Sequence, residues 1–378
     1  MSETHGRRGY LDWMRGVAVL IMIEAHVIDA WTRAADRSGP GFRRAIILGG
    51  FAAPLFLFLA GMAVVLAAES KRRQTGSVAI AAKAVRRRGL EIFGLAFLFR
   101  LQAYLLSPGA TLAGLLKVDI LNVMGPSIVA VALIWEFART RGTRIVSLAL
   151  VATGIGMVTP IVREAAWLSP LPDQLEWYFR PVAGRTTFTL FPWSGLLVAG
   201  ALVGVLLDAA RQRRQQHWLM SAFGLAGAVL AVVSYELSFR PSIYAKSGFW
   251  TSSPTYFFLR IGMMTLAIPI AWLRSERHVW LKRIPRWSPP RHPSAAAALG
   301  TPVEEFGRSS LFTYWIHVEM VYGILSYPLH KQLSLQAALL AWAVFSVFIF
   351  ALVRLKNHMV GPRERPLASC FPQPIAQT

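Results

Sequence analysis

Ten apolar runs of about 20 residues recur along the chain, near 10–31, 46–68, 89–107, 115–136, 144–162, 187–207, 217–238, 254–273, 309–329 and 333–353. That is the length an α-helix needs to cross a hydrocarbon layer roughly 30 Å thick. With 54% hydrophobic and only 16% charged residues, a chain of 378 residues is too apolar for a soluble domain. The pattern predicts an all-α polytopic membrane protein, a bundle of about ten transmembrane helices occupying 1–355, with a flexible tail over 356–378. Membrane lipid is its expected surroundings.

The basic residues orient that bundle. With the N-terminus placed inside, the inner connections hold more than twice as many of the 40 Lys and Arg as the outer ones. Both termini are therefore expected in the cytoplasm, although Arg33, Arg37, Arg43 and Arg44, between the first two spans, run against the rule. The net charge of +21 does not indicate nucleic-acid binding, because the cations lie in short clusters between apolar runs and not along one face. The single cysteine, Cys370, excludes an intrachain disulfide. The first run does not read as a signal peptide, since acidic residues interrupt it. A cytoplasmic linker is expected over about 275–308, where the stretch from Lys282 is rich in proline and alanine. An outer stretch from Arg163 is crowded with Trp167, Trp177, Tyr178 and Phe179. An interfacial aromatic belt explains it more simply than stacking on a sugar.

The first run is the unusual one. LDWMRGVAVLIMIEAHVIDAWT carries Asp12, Arg15, Glu24, His26 and Asp29, and each ionisable group near a bilayer centre costs roughly 2.5–3.5 kcal/mol. On a helix of 100° per residue, His26 returns to within about 20° of Arg15, with Asp12 and Asp29 on either side. These four share one arc of roughly 100°, which must face the bundle interior or a water-filled cavity. Glu24 falls nearly opposite. Arg15 and His26 are about 16 Å apart along the axis. The three-residue spacing of His26 and Asp29 lets a carboxylate touch an imidazole, fixing its tautomer and raising its basicity, as a general base requires. Polar pairing that merely holds the bundle together is the plainer alternative.

LDWMRG followed by His26 resembles the first helix of membrane-bound acyltransferases, in particular the heparan-alpha-glucosaminide N-acetyltransferase catalytic-domain family, with acyltransferase family 3 as its broader relative. PLFLFLAGMAV from Pro54, RRRGLEIFGLAFLFR from Arg86, FPWSGLLVAGALVG from Phe191 and SLFTYWIHVEMVYG from Ser310 resemble later stretches of that family in order. The resemblance implies transfer of an acetyl or similar acyl group from cytoplasmic acetyl-CoA, or another acyl-CoA, to a sugar hydroxyl or amine across the membrane. It makes His26 the catalytic histidine, either as general base or as acyl carrier. No metal is expected.

Cytoplasmic cations could hold the donor's phosphates by charge-assisted hydrogen bonds: Arg15, which no topology signal requires, and Arg86, Arg87 and Arg88, which the topology signal alone would explain. Asp12 and Glu24 of the first run, with Arg100, Asp119, Asn122, Arg185, Trp193, Arg260 and His317, are candidates for an acceptor or polar pocket, and those on the outer half could also stabilise an oxyanion. Snorkelling accounts equally for Arg185 and Lys117, and a structural hydrogen bond for His317. The short outer loops leave a small glycan, a lipid-linked sugar or another amine as acceptor. The rival readings are a proton-coupled transporter or permease, which would also keep a polar stripe, and a catalytically silent envelope protein. A transporter more often shows repeated halves, and none is evident.

Overall fold

The computed structural model describes residues 8–106, 111–281 and 301–360. The stretch from Lys282 and Cys370 lie outside these residues. In chain order the helices are α1 (Gly9–Trp31), α2 (Pro40–Gly49), α3 (Ala52–Thr75), α4 (Val78–Leu106), α5 (Ile120–Phe137), α6 (Arg141–Glu164) and α7 (Asp173–Glu176). They continue with α8 (Leu190–Ala209), α9 (Arg213–Leu237), α10 (Pro254–Leu281), α11 (Pro302–Arg308), α12 (Ser310–Tyr322) and α13 (Leu335–Val360). Among the described residues β-structure is confined to two isolated bridges, Thr32–Leu333 and Val118–Thr186. The protein is an all-α polytopic membrane protein.

Among the described residues, eight helical segments are long and apolar enough to cross a membrane: α2 running on into α3, then α4, α5, α6, α8, α9, α10 and α13. The other two predicted spans fall outside that set for different reasons. α1 has 23 residues but is loaded with charge; α12 has only 13 residues, about 20 Å of helix. Two predicted boundaries also shift. α13 continues to Val360, past the predicted start of the tail, and the far end of the predicted linker folds as α11, capped by Thr301 and Glu304 in a reciprocal box.

A helix that carries charge cannot face lipid, and α1 accordingly sits inside, packed by α2, α3, α10, α11, α12 and α13. Ala18, Val19, Ile23, Val27 and Ile28 on it are fully buried. Small residues set how closely the helices approach, as expected where packing and not water exclusion drives association. A Cβ on Gly61 of α3 would overlap the Leu197 carbonyl of α8, and one on Gly307 of α11 would overlap the Asp12 carbonyl of α1.

α3, α5 and α6 are tied together by a polar knot. Glu69 of α3, 6% exposed, accepts from the Trp135 indole N–H of α5 at 2.9 Å and from Arg144 of α6 at 2.5 Å. Arg144 also donates to the Trp135 carbonyl at 3.0 Å and lies 4.2 Å over the Trp135 ring. Every member is satisfied across three helices, the condition under which a buried pair fixes an arrangement.

Candidate active site

One cavity of about 660 Å³ runs along α1 between α3, α4, α5 and α12. Its α1 wall carries Arg15, Met22, His26 and Asp29, the i, i+7, i+11, i+14 face expected for the polar arc. Its α12 wall carries Leu311, Tyr314, Val318 and Tyr322, again one face. From Arg15 to Asp29 is about 21 Å of helix, and from Arg88 to Arg100 on α4 about 18 Å. The cavity thus reaches most of the way through a hydrocarbon layer. Apolar side chains such as Phe56, Ile92, Phe99 and Met124 line its middle.

At one end Arg15 meets Asp12 at 3.1 Å, and the same carboxylate lies 3.7 Å from Arg308 of α11. Asp12 is 1% exposed and does not line the cavity; it seats Arg15 and Arg308. Arg88 lines the same end and meets Glu91 at 3.3 Å.

At the other end His26 Nδ1 is 3.0 Å from the Tyr322 hydroxyl, and that hydroxyl donates to Asp29 Oδ2 at 3.3 Å. The expected His26–Asp29 contact is therefore indirect, because a tyrosine from α12 stands between the two. Asp29 in turn meets Arg37 at 3.4 Å. Among the described residues no hydrogen bond reaches His26 Nε2. Beside them Arg100 of α4 pairs with Asp119, which caps α5 and also accepts from Tyr314 at 3.4 Å. Lys117, in the connection before α5, lines the cavity too; burial and then nearby Arg100 push its ammonium below the ordinary lysine range.

Of the candidates, the structure brings Arg15, His26, Asp29, Arg88, Arg100 and Asp119 to one cavity. The others do not line it, each for a visible reason. Arg86 pairs with Glu136 of α5, and Arg87 points outward to Glu91 at 3.0 Å. Glu24 lies on the far side of α1, near Gly49 of α2, as its helical angle required. Asn122 accepts from the Asp119 backbone N–H at 3.0 Å, so its amide serves the helix cap. Arg185 lies 5.5 Å over Trp177 in the loop before α8. Arg260 is 8% exposed, bonded to the Tyr256 hydroxyl at 2.9 Å and lying 5.4 Å over the Trp193 ring; both are absorbed where α8 meets α10. His317 is fully buried, donates Nδ1–H to the Thr313 carbonyl at 2.6 Å and packs its ring 5.2 Å from that of His26. In the aromatic stretch from Arg163, Tyr178 accepts from Asn122 at 3.4 Å, Phe179 packs on Phe191 and Trp167 is exposed. Sequence reasoning missed Tyr314, Tyr322 and Arg37. The two tyrosines lie within the stretch from Ser310, spaced eight apart on the cavity-lining side of α12.

Among the described residues no group of three His, Cys, Asp or Glu is arranged to hold a metal ion.

Fold and site together define a multi-pass membrane protein whose interior holds a histidine in a long, polar-ended cavity. A model of the heparan-alpha-glucosaminide N-acetyltransferase catalytic family matches residues 7–239, more than half of the chain. The chain belongs to that family and is a membrane protein of an acetyltransferase class. No curated protein matches its sequence.

Proposed function

We propose that the protein moves an acetyl group from acetyl-CoA, bound from the cytoplasm at the Arg15 end, to a hydroxyl or amine at the Asp29 end, with His26 as the reacting group. The observation that carries this is the single cavity with Arg15 and Arg88 at one end and the His26 imidazole near the other. The two arginines suit the anionic phosphates of the donor. The apolar middle suits its long uncharged arm, which would carry the thioester toward His26.

His26 Nε2 then either takes the proton of the attacking acceptor group or first accepts the acetyl itself. In both routes the bond from acetyl carbon to acceptor forms, the C–S bond breaks, and coenzyme A leaves as a thiolate that takes up the proton. Arg100 and Lys117 lie at the end where the thioester oxygen gathers charge, and they favour that charge. Tyr314, Asp119 and Glu319 leave this end polar enough for a sugar-sized acceptor. The setting is the cytoplasmic membrane of a cell with an extracytoplasmic glycan or other small acceptor.

The test is transfer from radiolabelled acetyl-CoA by purified protein, repeated with His26→Ala. The expected result is loss of transfer with unchanged size-exclusion elution and thermal unfolding. Transfer at the full rate in the variant would remove His26 from the reaction. A wild-type protein that neither hydrolyses nor transfers from any acyl-CoA would overturn the acyltransferase reading in favour of a transporter.

A further inference from the structure

We infer that Tyr322 is the positioning residue of the site. Its hydroxyl bridges Asp29 and His26 and holds the imidazole in the tautomer that carries its proton on Nδ1 and leaves Nε2 bare. This rests on the reading of His26 as the reacting group, and it concerns a residue of α12, beyond the part of the chain the family model matches.

Donors and acceptors decide the tautomer. The Tyr322 oxygen is 3.0 Å from His26 Nδ1 and 3.3 Å from Asp29 Oδ2. A tyrosine hydroxyl has one proton to give, and an ionised carboxylate can only accept. If the hydroxyl donated to Nδ1, its oxygen and the carboxylate would face each other with lone pairs alone. Donation to Asp29 is the charge-assisted choice, and it leaves the phenol oxygen to accept from Nδ1–H. The ring's second nitrogen is then the one with a free pair, as a base or nucleophile needs.

The neighbours hold this geometry. The two rings meet edge to face with centroids 5.5 Å apart. The backbone next to Tyr322 is pinned, since the Val321 carbonyl accepts from the Trp31 indole at 3.1 Å and from the Ser326 hydroxyl at 2.7 Å. Asp29 is gripped by Arg37, whose Nε also donates to the Thr32 carbonyl at 3.2 Å. The other ring near His26 takes no part in the bridge: His317 donates Nδ1–H to Thr313, and no hydrogen bond joins it to His26. Supporting shells of this kind commonly decide which ring nitrogen of a histidine is available.

The test uses full-length protein labelled with ¹⁵N-histidine and compared with Tyr322→Phe, which removes the hydroxyl and keeps the ring. The His26 signals are identified by their loss in His26→Gln. In the wild type the neutral ring should show Nδ1 protonated and Nε2 bare, and in Tyr322→Phe the two nitrogens should exchange roles. Transfer from labelled acetyl-CoA by Tyr322→Phe should lose at least about tenfold in kcat, with KM for acetyl-CoA unchanged. Asp29→Asn, which keeps an acceptor oxygen, should lose less. A wild-type ring protonated on Nε2 would overturn the inference without recourse to any variant. So would a Tyr322→Phe protein with the wild-type tautomer and full kcat. A tautomer that switches as described in a protein with no transfer activity would leave the bridge intact and remove only the acetyl-transfer reading.

Discussion

At the Arg15 end of the cavity the lining cations meet carboxylates on their own helices, Arg15 with Asp12 and Arg88 with Glu91, each three residues away. At the Asp29 end the polar contacts cross from helix to helix: α1 to α12 through His26 and Tyr322, α4 to α5 through Arg100 and Asp119, α12 to α5 through Tyr314. An exposed pair within one helix such as Arg88–Glu91 contributes only about 0.2–0.5 kcal/mol, and Arg15, though its partner Asp12 is buried, keeps part of its own side chain exposed. Such a pair can be given up when a better anion arrives. A network shared between helices, with Arg100 and Asp119 each only 14% exposed, cannot be exchanged so cheaply, and it holds side chains of different helices in register. Under the proposed function, the difference suits an entry for a phosphate-bearing donor at one end and a chamber for the chemistry at the other.

The comparison is broken most severely at the rigid end. Asp119→Asn leaves Arg100 largely buried without its carboxylate and strips the α5 cap of its charge. A loss of about 3–5 kcal/mol is expected from such an uncompensated cation. Thermal unfolding in detergent should show it, and adding Arg100→Met should recover much of it. If the single variant unfolds like the wild type, the Asp29 end is not the rigid one.

Arg15→Gln should act on binding instead. Losing one charged hydrogen bond to phosphate, about 1.5–3 kcal/mol, raises KM for acetyl-CoA roughly tenfold or more at unchanged kcat. Stability should change little, because Asp12 keeps Arg308. Arg88 is the more exposed of the two entry cations, so Arg88→Gln should raise KM by less than Arg15→Gln, and added salt should shrink the difference. Equal kcat losses in both variants would place the arginines with the chemistry and erase the contrast.

The smallest effect concerns the connection between α1 and α2 that carries Arg37. Asp36 accepts from the Leu335 backbone N–H at 2.8 Å and from Arg33 at 3.2 Å, and these bonds hold its carboxyl below the ordinary aspartate range. A carboxyl whose folded value is depressed contributes above the unfolded value, about pH 3.9, and loses that contribution as pH falls through the folded one. Hydrogen exchange at Leu335, corrected for intrinsic rate, should therefore quicken only under acid conditions below about pH 4. In Asp36→Ala it should already be fast at neutral pH.

Much of this fold could be read from hydropathy, because a span must be apolar over a fixed length and eight segments obey that rule plainly. The polar arc of α1 could also be read, since Asp12, Arg15, His26 and Asp29 recur at helical spacing and a charged face has to turn inward. Partners from distant parts of the chain could not. Spacing alone put Asp29 against His26, whereas Tyr322, nearly three hundred residues later, takes the place between them. Arg260 and Trp193 were grouped with the pocket by depth in the membrane. Which way a helix face turns is decided by packing, and α8 and α10 turn theirs toward each other. The brevity of α12 was hidden because hydropathy continues through Ile324–Leu329, where the backbone leaves the α-helix for a tighter turn.

The proposed function requires the cavity to join a donor on one face of the membrane to an acceptor on the other. Sealed proteoliposomes with labelled acetyl-CoA outside and a mixture of amino sugars trapped inside measure that directly. Label should appear on trapped sugar with the wild-type protein and not with His26→Ala. Label that reaches only acceptors supplied on the donor's own side would contradict it.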